Sequence, residues 1–303
     1  MNNEDYVKLS RVCRNGSNPL NAILYKNSKA TPESIVQEML MNSLNNKCED
    51  TKILVLFDYA MALDLMEAGF NNVSFTADSP DIIRKTKNAL EAKTNIRVLT
   101  MDENKDMKFD VIIGNPPYGK NANLAIEFLN RSADHTDTIA MVLPRTLKKK
   151  SAVNRVRDDL HLVHHSDNAD DAFGVRDAGL RTCIQTWVVD KTKKRKAIPV
   201  YNKSMLLEYF EFVDMASSDI AIARVGHGAG GRVFAREDCK GKEKNYEDKS
   251  PNSHYFIKVK SKSIIKQLKS LQEEMRAVAD DTVSNPSLSI DDIAELYLEK
   301  YAK

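Results

Sequence analysis

Phe109-Asp110-Val111-Ile112-Ile113-Gly114-Asn115-Pro116-Pro117-Tyr118-Gly119 is the stretch that says most about the fold of this 303-residue chain. The apolar run Val111–Ile113 reads as a buried strand, and it leads directly into Asn115-Pro116-Pro117-Tyr118. In an open parallel sheet such a turn falls at the carboxyl edge, where ligands are held. Two consecutive prolines fix the backbone and remove two N–H donors, which leaves carbonyl acceptors. An Asn side-chain carbonyl beside such an acceptor can take both hydrogens of a planar amino group. The Tyr ring offers a stacking face for a flat heterocycle. A Pro-rich turn with a capping Asn is the plainer reading, and it suits a bare Asn-Pro better than this whole run.

On both sides of this stretch, short apolar strands alternate with helices. Thr31 and Pro32 read as the N-cap and first residue of a helix carrying Ile35, Met39, Leu40 and Leu44 at helical spacing. Strands are expected at Ile53–Phe57, Val73–Thr76, Ile96–Thr100, Val111–Ile113, Thr138–Leu143, Leu162–His165 and Thr182–Val189. Helices are expected at Met61–Ala68, Pro80–Ala92, Leu124–Ser132 and Ala152–Leu160. The alternation implies a Rossmann-like α/β domain, with a mainly parallel sheet and helices on both faces.

After the basic run Lys191–Lys196 the pattern changes to short strands, one Lys-rich amphipathic helix over residues 262–280, and a last helix over Ser289–Tyr301. Ser289 and Asp292 stand in capping-box positions. The expected organisation is an N-terminal extension (1–30), a catalytic domain (31–197) and a small α+β region (198–303).

With 45 Lys and Arg against 43 Asp and Glu, the net charge is +2, so any nucleic-acid contact has to come from local basic patches. Arg145, Lys148, Lys149, Lys150, Arg155 and Arg157 form one such segment, readable as phosphate contacts or as a solvated helix face. Gly226-His227-Gly228-Ala229-Gly230-Gly231 fits GxGxxG, but a strand rather than a helix follows, so it reads as a turn. The four cysteines are scattered, with no paired metal-ligand spacing, and read as reduced thiols; no metal site is expected. No apolar run approaches the ~20 residues of a membrane span, and the start MNNEDYVKLSR is polar, so a cytoplasmic location is expected.

Asn115-Pro116-Pro117-Tyr118 resembles the catalytic tetrapeptide of amino-methyltransferases that use S-adenosylmethionine. The surrounding order is similar to the gamma class of N6-adenine DNA methyltransferases, over roughly residues 30–190. The resemblance implies that Thr31-Pro32 begins the cofactor motif before the first strand, that Asp78 meets the cofactor ribose, and that Asp102 meets its adenine. It also implies that Asn115 to Tyr118 act on the exocyclic amine of a flipped-out adenine in duplex DNA. The region after residue 197 would then recognise the target, with Arg224, His227 and Arg232 as candidate contacts. One departure stands out. The family's first strand runs into a Gly-rich loop, whereas Leu56-Phe57-Asp58-Tyr59-Ala60-Met61-Ala62 has no Gly, so Phe57 and Asp58 become candidates for the methionine end of the cofactor.

No nuclease domain is evident, so a separate methylase fits better than a fused restriction enzyme. RNA or a protein glutamine as the methyl acceptor, and a catalytically silent nucleic-acid-binding relative, remain alternatives. The recognised sequence, a homodimeric state and a cognate restriction partner stay open.

Overall fold

The computed structural model describes residues 31–43, 49–77, 80–90, 95–99, 106–173, 180–239, 246–282 and 285–302. The expected extension 1–30 lies outside them. The described residues fall into two compact units, within the spans Met1–Leu147 with Ala152–Ala197, and Lys148–Ser151 with Ile198–Lys303.

The first unit is built on a seven-stranded sheet in the order β3-β2-β1-β4-β5-β7-β6. Its strands are β1 (Ile53–Leu56), β2 (Val73–Thr76), β3 (Arg97–Val98), β4 (Val111–Gly114), β5 (Thr138–Pro144), β6 (Leu160–Asp167) and β7 (Thr182–Val189). β1 to β5 pair in parallel, and β7 runs antiparallel to both β5 and β6. Every residue of β1, β2 and β4 is buried. Strands buried at each position need cover on both faces, which is why they read as unbroken apolar runs. The cover includes α1 (Glu33–Ser43) against β5 and β7, α2 (Tyr59–Glu67) against β1 and β2, and α4 (Asn123–Ser132) against β5. α3 (Pro80–Leu90) follows β2. The mainly parallel α/β sheet expected from the alternation is thus present.

α2 begins two residues earlier than its apolar pattern suggests, because Asp58 caps it and accepts from the N–H groups of Ala60 and Met61. The helix expected over Ala152–Leu160 is reduced to the single turn Lys150–Val153, and β6 already starts at Leu160. Its apolar spacing was helical, but Arg195 takes the carbonyls a helix would use. The guanidinium Nη2 donates to the oxygens of Val153 (3.3 Å), Val156 (3.0 Å) and Arg157 (3.2 Å), and Nε donates to Leu160 O (2.7 Å).

A second guanidinium fixes the same corner. Arg157 Nε and Nη2 grip the two Asp159 carboxylate oxygens at 2.9 and 2.7 Å, and this holds the Asp159 carboxyl below the usual carboxylate range. A carboxyl depressed in the folded state adds stability above its unfolded pKa near 3.9, and the gain is lost as pH falls through the folded value. Asp159→Asn is therefore expected to cost about 1–3 kcal/mol at pH 7. The difference from the unsubstituted protein should shrink as urea unfolding is repeated toward pH 3, and an equal difference at both ends would refute the pairing.

The second unit is a four-stranded antiparallel sheet, β10-β9-β11-β8, formed by Phe210–Phe212 (β8), Ile220–Ala223 (β9), Val233–Ala235 (β10) and His254–Val259 (β11). Its core joins Phe210, Ile220, Ile222 and Ile257 to Leu268, Met275 and Tyr297 of the helices α5 (Lys262–Ser270), α6 (Gln272–Asp280) and α7 (Ile290–Tyr301). The single helix expected over 262–280 is broken at Leu271, whose φ of −93° and ψ of 4° end α5. α7 carries the reciprocal Ser289–Asp292 capping box. Gly226–Gly231 is the turn between β9 and β10. Gly230, at φ 67°, lies so close to α6 that a Cβ would stand 2.3 Å from Met275 O.

Candidate active site

The strand order reverses between β1 and β4, which lie side by side in parallel with Leu56 opposite Gly114. Such a reversal opens a crevice beyond the carboxyl ends of the two strands. Phe57 and Asp58 leave β1 on one side of it, and Asn115 leaves β4 on the other. The approach is close because position 114 has no side chain: a Cβ there would lie 2.6 Å from Leu56 O and 2.7 Å from Leu56 Cβ. The Asn115 N–H then donates to Leu56 O at 3.3 Å, extending the pairing by one residue. Sequence reasoning did not single out Gly114. Its signal is a glycine ending an otherwise apolar strand, which marks close backbone approach.

The half-buried Asn115 side chain is held at both ends. Its Nδ2 donates to Thr31 Oγ1 at 3.3 Å, and the Tyr118 hydroxyl donates to its Oδ1 at 3.2 Å. Thr31 is buried beside Asp58, and its N–H donates to Asp58 Oδ2 at 2.7 Å. Asp58 Oδ1 accepts from Ala60 N at 3.1 Å and Met61 N at 3.2 Å. Burial pushes the Asp58 carboxyl pKa up, and the bonds from Thr31, Met61 and Ala60 oppose that rise.

Pro116 is buried and Pro117 exposed. Among the described residues no hydrogen bond reaches the Pro116 carbonyl, which leaves it as an open acceptor. Tyr118 packs against the core, and burial raises its phenol pKa well above the ordinary value. The Tyr118 carbonyl accepts from Leu124 N at 3.1 Å and Ala125 N at 3.3 Å, tying the tetrapeptide to the start of α4.

The Gly-free loop does use the left-handed conformation. Phe57 has φ 67°, and the other non-Gly residues with positive φ among those described are Asn121 (53°) and Ala122 (60°). All three lie in the segments that follow β1 and β4 in the chain, and strain of this kind gathers at functional sites. Phe57 is held there by its N–H to Thr76 O at 3.0 Å and by the Phe128 ring, edge-on at 4.6 Å between centroids. A cavity of about 180 Å³ runs along the sheet face, bounded by Leu56, Phe57, Thr76 and Phe128 at one end and by Arg131, Asp134 and His135 at the other.

The remaining expected residues are distributed as follows. Pro32 precedes α1, and its carbonyl accepts from Ile35 N and Val36 N. Asp78 and Asp102 lie outside the described residues. The basic segment differs from the expected open basic face. Lys148 pairs with Asp281 (2.8 Å), Lys149 with Asp292 (2.7 Å), and Lys150 with Glu295 (3.1 Å) and Glu299 (2.5 Å). Arg145 is largely buried, bonding Thr182 O at 3.3 Å and Asn168 O, with Asp170 3.1 Å away. The charge of these four side chains is met inside the protein. Arg224 lies over the Tyr255 ring at 5.2 Å and donates to Asn252 O, and Arg232 is exposed. Among the described residues no helix is long and apolar enough to cross a membrane.

Residues 25–148, which contain this crevice, match the family model of the Eco57I restriction-modification methylase. The match spans 124 of the 303 residues, and the sheet it falls on is a mainly parallel, Rossmann-like α/β sheet. No curated protein matches the chain in sequence. Solved structures with a related chain path include magnesium protoporphyrin IX methyltransferase from Synechocystis PCC 6803 with bound SAM, at 9% identity and TM-score 0.41, covering 61% of this chain and 97% of that one. Another is the T. thermophilus 16S rRNA N2 G1207 methyltransferase in complex with AdoMet and guanosine, at 18% identity and TM-score 0.39, covering 55% of this chain and 45% of that one. A third is the ribosomal protein L11 methylase of Lactobacillus delbrueckii subsp. bulgaricus, at 12% identity and TM-score 0.38, covering 52% and 77%. At this level of similarity the substrates of these enzymes do not carry over.

Proposed function

We propose that the protein is a cytoplasmic, S-adenosylmethionine-dependent DNA methyltransferase that modifies the N6 amine of adenine in the manner of the gamma class. The observation that carries this reading is Asn115 at the end of β4, its amide held in place beside the open Pro116 carbonyl. The N6 amine is a poor nucleophile because its lone pair is delocalised into the ring. Hydrogen bonds from that amine to Asn115 Oδ1 and Pro116 O draw the nitrogen toward tetrahedral geometry and localise the pair. Both acceptors sit on a rigid turn, so little reorganisation accompanies reaction.

S-adenosylmethionine supplies the methyl group as a sulfonium. The cavity between Phe57, Thr76 and Phe128 is a candidate place for part of the cofactor, although its far end is lined by Arg131, Asp134 and His135. Duplex adenine reaches the site only when flipped out, and the Tyr118 ring replaces the stacking that is lost. The second unit contributes target recognition, with Arg224 and Arg232 as candidate contacts.

The Tyr118 hydroxyl bonds the same Asn115 oxygen that the substrate amine requires, so it is dispensable and the ring is not. Tyr118→Phe is expected to keep turnover within about threefold. Tyr118→Ala should lower it about 10- to 100-fold, on the scale of one lost base–aromatic stack. Equal rates in single-turnover assays of the two variants would exclude stacking.

The deciding experiment incubates the protein with S-adenosylmethionine and unmethylated DNA, then digests to nucleosides and weighs them. N6-methylated adenine nucleoside is the expected product. Methylation confined to RNA or to protein glutamine in parallel incubations would replace DNA as the substrate, and none anywhere would leave a silent binder.

A further inference from the structure

We infer that Arg155 is a positioning residue of the candidate active site, bracing the turn between Tyr118 and α4, rather than a contact to phosphate. The turn it braces is strained. Asn121 (φ 53°, ψ 34°) and Ala122 (φ 60°, ψ 20°) are consecutive left-handed residues, and neither is glycine. Asn tolerates this conformation, whereas Ala adopts it only at a cost, so the pair persists because its surroundings impose it.

The strained pair reverses the chain and brings Tyr118 back to the start of α4. Ala122 is the N-cap of that helix and makes no side-chain bond to the donors of its first turn. The Tyr118 carbonyl takes this part, accepting from Leu124 N at 3.1 Å and Ala125 N at 3.3 Å. One residue therefore caps α4 with its backbone and bonds Asn115 Oδ1 with its hydroxyl at 3.2 Å.

Arg155 reaches this turn with both ends of its guanidinium. Nη2 donates to Asn121 O at 2.6 Å, on the strained pair, and Nη1 donates to Asn123 Oδ1, on the first residue of α4. The base from which it reaches is itself fixed. Asn130, toward the other end of α4, donates to Arg155 O at 3.0 Å and accepts from Arg157 N at 2.9 Å. Arg195 holds the carbonyls of Val153, Val156 and Arg157. The bracket thus ties Asn123 and Asn130, about 10 Å apart along the helix, to one short segment. A guanidinium holds two acceptors at a set separation, which an ammonium cannot do. Without it, residues 121 and 122 relax toward negative φ, the Tyr118 carbonyl leaves the helix start, and the Tyr118 ring and hydroxyl lose their place beside Asn115.

The kinetic consequence rests on the proposed amino-methyltransferase chemistry and the local one does not, so the two can fail separately. Arg155→Met keeps the length of the side chain and removes its donors. Amide hydrogen exchange followed by NMR should show Leu124 and Ala125 exchanging about tenfold faster relative to the amides of β1 and β4. Equal acceleration everywhere, or none, overturns the inference whether or not the protein methylates DNA. In single-turnover methylation of unmethylated DNA the same variant should be about 10- to 30-fold slower, the scale of a displaced reacting group, with DNA affinity within about twofold. A full rate overturns the inference, and so does weakened DNA binding with a salt slope reduced by about one, which would make Arg155 a phosphate contact.

Two further variants close the test. Arg155→Lys keeps the charge and loses the fork, so it should follow Arg155→Met in both measurements, and it carries them if Arg155→Met does not fold. Ala122→Gly removes the strain, because glycine takes a φ of 60° freely. Placed in the Arg155→Met background, it should recover the rate at least about threefold, and no recovery would show that Arg155 does not act on this turn.

Discussion

Asn115→Ala is expected to lower methyl transfer to DNA about 100- to 1,000-fold, the scale seen when one preorganised hydrogen-bonding group is removed from a transition state. The substitution deletes the oxygen that accepts from the amine and keeps the Asn115 backbone N–H to Leu56 O at 3.3 Å, so the turn itself stays anchored. DNA and cofactor binding are expected within about twofold of the unsubstituted protein, because the lost interaction matters mainly once the amine nitrogen begins to form its new bond. Nucleoside mass measurement after single-turnover incubation, alongside a DNA-binding titration, separates the two effects. Turnover that survives the substitution would remove Asn115 from the chemistry and with it the proposed activity.

Gly114→Ala should be the most damaging single-methyl change in the first unit. The added Cβ would meet the Leu56 carbonyl oxygen at 2.6 Å and Leu56 Cβ at 2.7 Å. These atoms belong to β1 itself, buried on every side, and no rotamer change can move the backbone oxygen out of the way. Either the two central strands separate or the turn after β4 is displaced. Overpacking of this kind costs about 1–3 kcal/mol and sometimes more. In a unit of this size that corresponds to a fall in melting temperature on the order of 5 °C. Calorimetry measures the loss directly, and activity should fall further than stability alone explains, because Asn115 shifts with the strand. A variant with an unchanged melting temperature would contradict the strand separation described for β1 and β4.

Much of this arrangement was legible in the amino-acid order, for identifiable reasons. β7 was expected at Thr182–Val189 and is found there, since a long run of β-branched and apolar residues between charged ends admits few alternatives. The tetrapeptide declared itself because Asn-Pro-Pro-Tyr follows a strand too apolar to lie at a surface. What stayed hidden depended on partners distant in the chain. Nothing between Ala152 and Leu160 reveals that Arg195 will take its carbonyls. Lys148, Lys149 and Lys150 look like a basic face until Asp281, Asp292, Glu295 and Glu299 are brought to them. Nothing in the Gly-free loop marks Phe57 as the residue that takes positive φ, since Phe128 and Thr76, distant in the chain, hold it there.

The four residues Lys148–Ser151 give the chain an unusual connectivity. They belong with residues 198–303, while the chain before and after them belongs to the other unit. The polypeptide therefore passes from one unit to the other three times, at 147–148, 151–152 and 197–198. Neither unit can be produced as one uninterrupted fragment. A truncation at residue 197 would carry the three lysines away from Asp281, Asp292, Glu295 and Glu299, leaving an acidic surface on one product and a surplus of positive charge on the other. Exchanging the C-terminal unit between relatives, as one would to transplant specificity, has to move this internal tetrapeptide as well.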